Sequence, residues 1–287
     1  MSEAFDLEVL AKLRLVLEPA VSNLARVPSE VQPASLLAAV NNRLGHPYLL
    51  TNAVSGAYTR AWDHLGALHN LLFKSGNAHA CACMTMARAA LENAAVALWL
   101  LGTDDETERC RRVMCWSFQN FKDEVHFFET MHDELAEGYD PQMVTGLEAD
   151  IVRLTERRDA VLVRAASLGF GPKDVRGAWW RSIFQAVGSE GGYTGLTPHL
   201  QWKSLSGVAH GRDYAGLRFL RPRIVADVPH DPKNAVVELT INEENFYGAV
   251  LMVRDLLTRS RKIYDSERLA FKEHAPPDLN RHIGLLG

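Results

Sequence analysis

The chain has 287 residues, of which 47% are apolar and 23% charged, and these values are ordinary for a globular protein with a sizeable core, built as one large domain or two small ones. The net charge of −4 excludes a global basic field that recruits nucleic acid, although it leaves room for a local basic face. No signal peptide is evident at the first residues, and four cysteines without a C-x-x-C pair argue for reduced thiols and against a structural zinc site. We therefore expect a cytoplasmic protein, and the sequence indicates no metal and no cofactor.

Apolar residues at helical spacing predict four helices at the start of the chain, over residues 6–26, 34–44, 53–74 and 78–101. Pro19 is expected to kink or break the first helix, and Gly45 to end the second. The fourth is apolar all round, which is typical of a helix buried at the centre of a bundle. A membrane span is the poorer interpretation, because this helix contains Arg88, Glu92 and Asn93.

Two long helices are predicted next, joined by a turn at residues 138–140. The first starts near Thr103 and the second at Asp140, where Asp140 would cap the helix and Pro141 would be its first residue. They are expected to form a long antiparallel hairpin. Because such a hairpin offers a large surface, residues 104–169 are also the predicted contact of a possible homodimer.

The remaining elements are a helix over 174–187, a flexible glycine-rich loop over 188–195, a helix from Thr197 to Gly211, a β-hairpin at about 217–241 and a last helix over 243–270. The predicted fold class is therefore all-α, a multi-helix bundle with a long antiparallel helical hairpin and one small β-hairpin. We divide the chain into an N-terminal helical segment, a helical bundle domain and a C-terminal tail, over residues 1–50, 51–270 and 271–287.

A charged pair within the apolar helix is the first candidate site. Arg88 and Glu92 are four residues apart and can pair on one face of the helix. Burying two charges costs several kcal/mol unless further hydrogen bonds satisfy them, so other core groups must complement the pair. Two interpretations remain open: an ion pair that fixes helix packing, and a functional site in which Arg88 faces an anion.

A second polar stripe lies on the helix that begins at Thr197. Helical spacing aligns five of its side chains, namely His199, Trp202, Ser206, His210 and Asp213. Ser206 and His210 would suit an activated nucleophile, with Glu92 or Asp213 orienting the imidazole. The alternative is a buried polar network without catalysis, and the pattern leaves open whether any reaction is catalysed.

Two further histidines, His64 and His69, precede the apolar helix and are added to the candidate ligand-binding residues. A metal site built from both of them together with His210 and Glu92 is conceivable in a bundle core. The E-x-x-H spacing of di-iron bundles is absent from these helices, so we predict no metal. Histidines on an apolar face are more often core residues with satisfied hydrogen bonds than metal ligands.

Two short motifs carry a family resemblance. Arg88 and Glu92 form R-x-x-x-E, and residues 205–211 read L-S-x-x-x-H-G. This combination resembles a group of uncharacterised all-helical bacterial proteins over roughly residues 55–265. The resemblance implies an all-helical fold with a polar centre, and it implies no reaction.

A more distant similarity concerns Arg268 and His274, which are spaced like the Arg and His of HEPN domains, helical bundles that include ribonuclease toxins. That similarity implies a metal-independent ribonuclease or a defence-linked toxin as an alternative. The leading hypothesis is a helical bundle whose polar centre binds a small anionic ligand or a protein partner, and an oligomeric scaffold module is a further alternative. Its expected ligand-binding residues are Arg88, Glu92, Trp202, Ser206, His210, His64 and His69.

Overall fold

The helices and strands appear in a computed structural model that describes residues 6–21, 30–75, 79–135, 140–177, 179–193, 197–212, 214–215, 220–228 and 231–270, with the side chains of 222–239 left aside. The helices of these residues are α1 (Leu7–Val21), α2 (Leu36–Leu44), α3 (Leu50–Phe73), α4 (Ala80–Leu101), α5 (Glu106–Leu135), α6 (Pro141–Ser167), α7 (Pro172–Val175), α8 (Trp180–Glu190), α9 (Thr197–Ala209) and α10 (Glu243–Glu267). Strands β1 (Leu220–Val228) and β2 (Asp231–Ile241) form an antiparallel pair between α9 and α10. The all-α prediction with one β-hairpin is confirmed.

Helix α4 occupies the centre of the bundle, as its composition predicts. It packs against α3, α5, α8, α9 and α10, and every residue from Ala94 to Leu101 is buried. Small side chains such as Ala87 and Ala90 are fully buried and let the neighbouring helices approach closely. Within the described part of the chain, no helix has both the length and the apolarity needed to cross a bilayer.

The N-terminal helices share this core. Leu13 and Leu17 of α1 and Leu37 and Leu44 of α2 are fully buried in the same apolar cluster as α4. Pro19 lies inside α1, near its end. Helix α2 begins two residues later than predicted, because the Ser35 hydroxyl caps it by accepting a hydrogen bond from the backbone N–H of Ala38 at 3.2 Å. It ends as predicted at Gly45, which has φ +69°.

Helices α5 and α6 form the predicted antiparallel hairpin. The Asp140 carboxylate caps α6 by accepting a hydrogen bond from the Gln142 backbone at 2.9 Å. Two arginines of α5 that the apolar pattern does not mark are buried at the end of α4. Arg109 donates to the carbonyl of Leu101 at 2.8 Å, and Arg112 donates to the carbonyl of Trp99 at 2.5 Å. These carbonyls lie in the last turn of α4, where helix carbonyls lack intrahelical partners.

The segment between α6 and α9 differs from its prediction. The single helix expected over 174–187 is split into α7 and α8 by a turn in which Gly177 has φ +106°. The loop expected over 188–195 starts later, because α8 continues to Glu190. Tyr193 is held by a short hydrogen bond that its hydroxyl donates to Asp255 of α10.

The β-hairpin pairs Leu220 with Ile241, and both side chains are buried at the base of the hairpin. Asn242 follows directly and caps α10 by accepting a hydrogen bond from the Asn245 backbone at 3.3 Å. Helix α10 then packs along α4 and closes the bundle.

Candidate functional site

Four side chains from two distant segments of the chain meet where α9 packs on α4. Arg88 donates from Nε to Glu92 Oε1 at 2.9 Å, and the indole Nε1 of Trp202 donates to the same oxygen at 2.7 Å. Arg88 also donates from Nη1 to Nε2 of His210 at 3.3 Å. The predicted convergence of Arg88, Glu92, Trp202 and His210 is therefore present, and we call these four residues the polar centre.

Local structure explains this convergence. Arg88 and Glu92 are one turn apart on α4, so both side chains leave the helix on the same face. Trp202 lies in the middle of α9, whereas His210 lies just after the last residue of that helix. Gly207 allows the close packing of this region, because an added Cβ would stand 2.4 Å from the Cβ of Ala215.

The hydrogen bond between Arg88 and His210 has a defined direction. A guanidinium has donors only, so Nε2 of His210 is the acceptor of this bond. A protonated His210 would place two cations against each other. An anion that accepts hydrogen bonds from both groups would remove that repulsion.

The polar centre is partly open to solvent, and the expectation of a buried centre is wrong in this respect. The side chains of Arg88 and Glu92 are 23% and 16% exposed, and His210 is exposed. Among the described residues, Nη2 of Arg88 and Oε2 of Glu92 have no hydrogen-bond partner. The centre therefore offers the N–H groups of Nη2 as donors and Oε2 of Glu92 as an acceptor beside an accessible imidazole.

An aromatic wall supports the polar centre from the side of α8 and α9. The Trp202 ring is stacked on His199 and on Phe184, with ring centroids 5.7 Å and 5.5 Å away. Trp180 lies 6.3 Å from Trp202 and continues the wall. These contacts fix the indole that donates to Glu92. Burial lowers the pKa of His199, so this imidazole is held in its neutral form.

The predicted catalytic arrangement of Ser206, His210 and Glu92 does not form among the described residues. Ser206 is half-buried, and its only bond with His210 is the ordinary helical one, in which the His210 backbone N–H donates to the Ser206 carbonyl at 3.1 Å. Glu92 binds Arg88 and Trp202 instead of the imidazole. Asp213, the other candidate to orient the histidine, lies outside the described residues.

The buried face of α9 contains both apolar and polar side chains. Leu205 and Val208 are buried, whereas Leu200 is 45% exposed. Gln201 and Ser204 are also buried, and each donates a hydrogen bond to a backbone carbonyl, of Asn245 at 3.3 Å and of Leu200 at 2.9 Å respectively. Gln201 therefore joins α9 to α10, which the position of the apolar residues alone does not indicate.

The two histidines of α3 do not join the polar centre through any hydrogen bond or ring contact of the described residues. His69 lies beside the ring of Phe73, with centroids 5.1 Å apart, and its Nδ1 is buried without a partner. His64 is half-buried. Helix α3 instead contributes Arg60, which donates to Asn93, the neighbour of Glu92, at 2.9 Å.

The sequence patterns miss two kinds of residue at this site. Trp180 and Phe184 form part of the aromatic wall, and their spacing of four on α8 is a signal that could have revealed them. Arg60 has no comparable signal, because its role depends on the pairing of α3 with α4. Within the described ranges, no group of three or more His, Cys, Asp or Glu side chains is arranged to hold a metal ion.

The alternative suggested by the HEPN similarity depends on His274, which lies outside the described residues. Arg268, the other member of that pair, follows α10 and donates to Asp265 at 3.0 Å. Comparisons with protein-family models, with curated proteins and with solved structures find no match to this chain.

Proposed function

We propose that the polar centre binds a small ligand that carries an anionic group. The observation that carries this proposal is the unusual partner of Arg88: its guanidinium donates to the imidazole of His210 at 3.3 Å, and Nη2 has no partner among the described residues. Where an ion pair has a purely structural role, the donors of the arginine are normally satisfied by carboxylates and carbonyls. Here the second acceptor is the imidazole of an exposed histidine instead of a carboxylate or a carbonyl.

The remaining groups of the centre indicate the chemistry of the ligand. A carboxylate or phosphate would accept hydrogen bonds from Arg88 and from a protonated His210. The free Oε2 of Glu92 would accept a hydrogen bond from a hydroxyl or ammonium group of the same ligand. Because Glu92 Oε1 is already held by Arg88 and Trp202, this carboxylate is oriented before the ligand arrives, which reduces the entropic cost of binding.

The Trp202 indole provides a local probe for this proposal. Its N–H donates to Glu92, so its ¹H–¹⁵N resonance should move when an anion engages the polar centre. We would titrate the protein with inorganic phosphate and with acetate, and identify the resonance through its loss in Trp202→Phe. A saturable shift is expected in the unaltered protein. In Arg88→Gln, which removes the charge, the apparent affinity for the anion should fall by at least about tenfold.

A matched control separates binding from general electrostatics. Arg153 is an exposed arginine of α6, paired with Asp150, and Arg153→Gln removes the same charge far from the centre in sequence. This control should leave the titration unchanged. If Arg88→Gln and His210→Gln keep full affinity and only lower the melting temperature, the polar centre is structural and the proposal is wrong.

A second candidate function is homodimerisation through the α5–α6 hairpin. Large apolar side chains are exposed on it, with Phe127 at 59%, Val152 at 58% and Val163 at 73%. Val152 and Val163 lie three turns apart on α6 and share one face. Light scattering across a dilution series should then show a dimer that Val163→Lys dissociates. A protein that stays monomeric at every concentration would exclude this function.

A further inference from the structure

A second concave site lies beside the α5–α6 hairpin, where both helices meet the turn between α7 and α8. This cleft has a volume of about 430 Å³, within the range of roughly 300–1,000 Å³ that is usual for small-molecule sites. It shares no residue with the polar centre. Its main lining residues are Phe118, Lys122, Arg158, Leu162, Arg176 and Trp179.

The charges of this cleft are unbalanced. Three cations line it, and Asp159 is the one carboxylate among the lining residues. Arg158 uses that carboxylate by donating from Nε at 3.0 Å. Lys122 and Arg176 form no ion pair with any described residue. Like charges that face one cleft repel each other, and an anion bound between them would convert this repulsion into attraction.

One wall of the cleft is an exposed aromatic ring. Trp179 is 64% exposed, and Lys122 Nζ lies 6.0 Å from its ring centroid. The indole lies close to Gly177, since a Cβ on that glycine would stand 2.9 Å from Nε1. Gly177 also has φ +106°, a conformation that favours glycine. The turn therefore presents an exposed indole beside Lys122 and Arg176.

We propose that this cleft binds a small planar aromatic anion of the nucleoside monophosphate class. The aromatic ring of the ligand would stack on Trp179, and stacking of a base on an aromatic side chain is worth roughly 5- to 150-fold in affinity. Its phosphate would accept hydrogen bonds from Lys122 and Arg176. Phe118 and Leu162 would provide the apolar floor, since Phe118 is buried and Leu162 half-buried beneath these groups.

The test uses titration calorimetry of the full chain with AMP, adenosine and inorganic phosphate. AMP should bind at least about tenfold more tightly than either fragment, because it alone uses both the indole and the cations. Trp179→Leu should weaken AMP about tenfold and leave phosphate unchanged. Arg176→Gln should weaken AMP and phosphate alike and leave adenosine unchanged. Circular dichroism melts of each variant check that it is folded.

The matched control is Arg157→Gln, which removes an exposed cation of α6 next to Arg158 but outside the cleft lining, and AMP affinity should not change. All three titrations are repeated in Arg88→Gln, which removes the anion site proposed at the polar centre, so the binding that remains belongs to the cleft and the two proposals fail separately. AMP that binds no more tightly than phosphate would overturn the proposal. So would a hexa-adenylate strand that binds far more tightly than AMP, since the cleft would then be part of a nucleic-acid surface.

Discussion

Replacement of Arg109 by methionine should be among the most damaging single changes in this protein. The Arg109 side chain is 3% exposed, and it donates to the carbonyls of Thr103 at 2.6 Å and Leu101 at 2.8 Å. It also forms a bidentate pair with Glu267, at 2.5 Å and 2.8 Å. One guanidinium therefore joins the end of α4, the start of α5 and the end of α10. Methionine fills similar space and donates nothing.

The expected loss of stability follows from the buried groups that lose their hydrogen-bond partner. Glu267, 13% exposed, would keep a carboxylate without its cation, and the Leu101 carbonyl would lose its side-chain donor. Breaking a buried pair by removing one partner costs about 3–5 kcal/mol. The free energy of unfolding of a domain is only about 5–15 kcal/mol, so this change should remove much of the stability. Urea unfolding followed by circular dichroism should show a lower midpoint with an unchanged slope.

Two comparison variants make the result decisive. Arg153→Met breaks a pair whose partners are 53% and 41% exposed, and it should cost no more than about 1 kcal/mol. The double variant Arg109→Met, Glu267→Met leaves no buried charge alone, and it should be more stable than Arg109→Met by itself. A loss below about 1 kcal/mol in Arg109→Met, or a double variant less stable than the single one, would refute the reasoning.

Two other measurements test the packing around α4. Cys81 is exposed, whereas burial raises the pKa of Cys83 to about 12 and that of Cys115 to about 11. Iodoacetamide at pH 8 should therefore alkylate Cys81 in the folded protein, and Cys83 and Cys115 only after unfolding. Peptide mapping by mass spectrometry reads this out, and early labelling of Cys83 would contradict the burial. Gly102→Ala should lower the free energy of unfolding by about 1–3 kcal/mol, because its Cβ would lie 2.4 Å from Oε2 of Glu190. An unchanged urea midpoint would contradict this prediction and show that the Glu190 side chain moves away without cost.

The sequence predicts most of the helices because their signals are local. Ser35, Gly45 and Asp140 act as caps through neighbouring backbone groups, so a short window of sequence contains all the necessary information. The turn at Gly177 is harder to predict, because it needs a positive φ that the apolar spacing of residues 174–187 does not reveal. The burial of Gln201 in α9 also escapes prediction, because it depends on a backbone carbonyl that belongs to α10.

Four of the seven expected ligand-binding residues contact one another, and the environment of these four is harder to predict. Arg88 and Glu92 stand out because they interrupt an apolar helix, and a pair of this kind requires partners from elsewhere. Trp202 and His210 supply them, as the polar stripe on α9 suggested. The degree of exposure could not be deduced, since it depends on how far the neighbouring elements cover α4. The choice of His210 over Ser206 as the contact likewise depends on three-dimensional position.

Arg88 and Arg109 show why position along a helix separates architecture from a binding site. Arg109 belongs to a charged run and looks solvated in the sequence, yet it is buried next to the end of α4, where the Leu101 carbonyl lacks an intrahelical partner. Its donors bind Glu267 and the backbone carbonyls of Leu101 and Thr103. Arg88 lies in the middle of α4, where the carbonyls already bond along the helix, so its donors must find side chains or a ligand. Two of them bind Glu92 and His210, and Nη2 has no partner in the part of the chain that the structure describes. Loss of Arg88 should therefore cost less stability than loss of Arg109, and more affinity for anions.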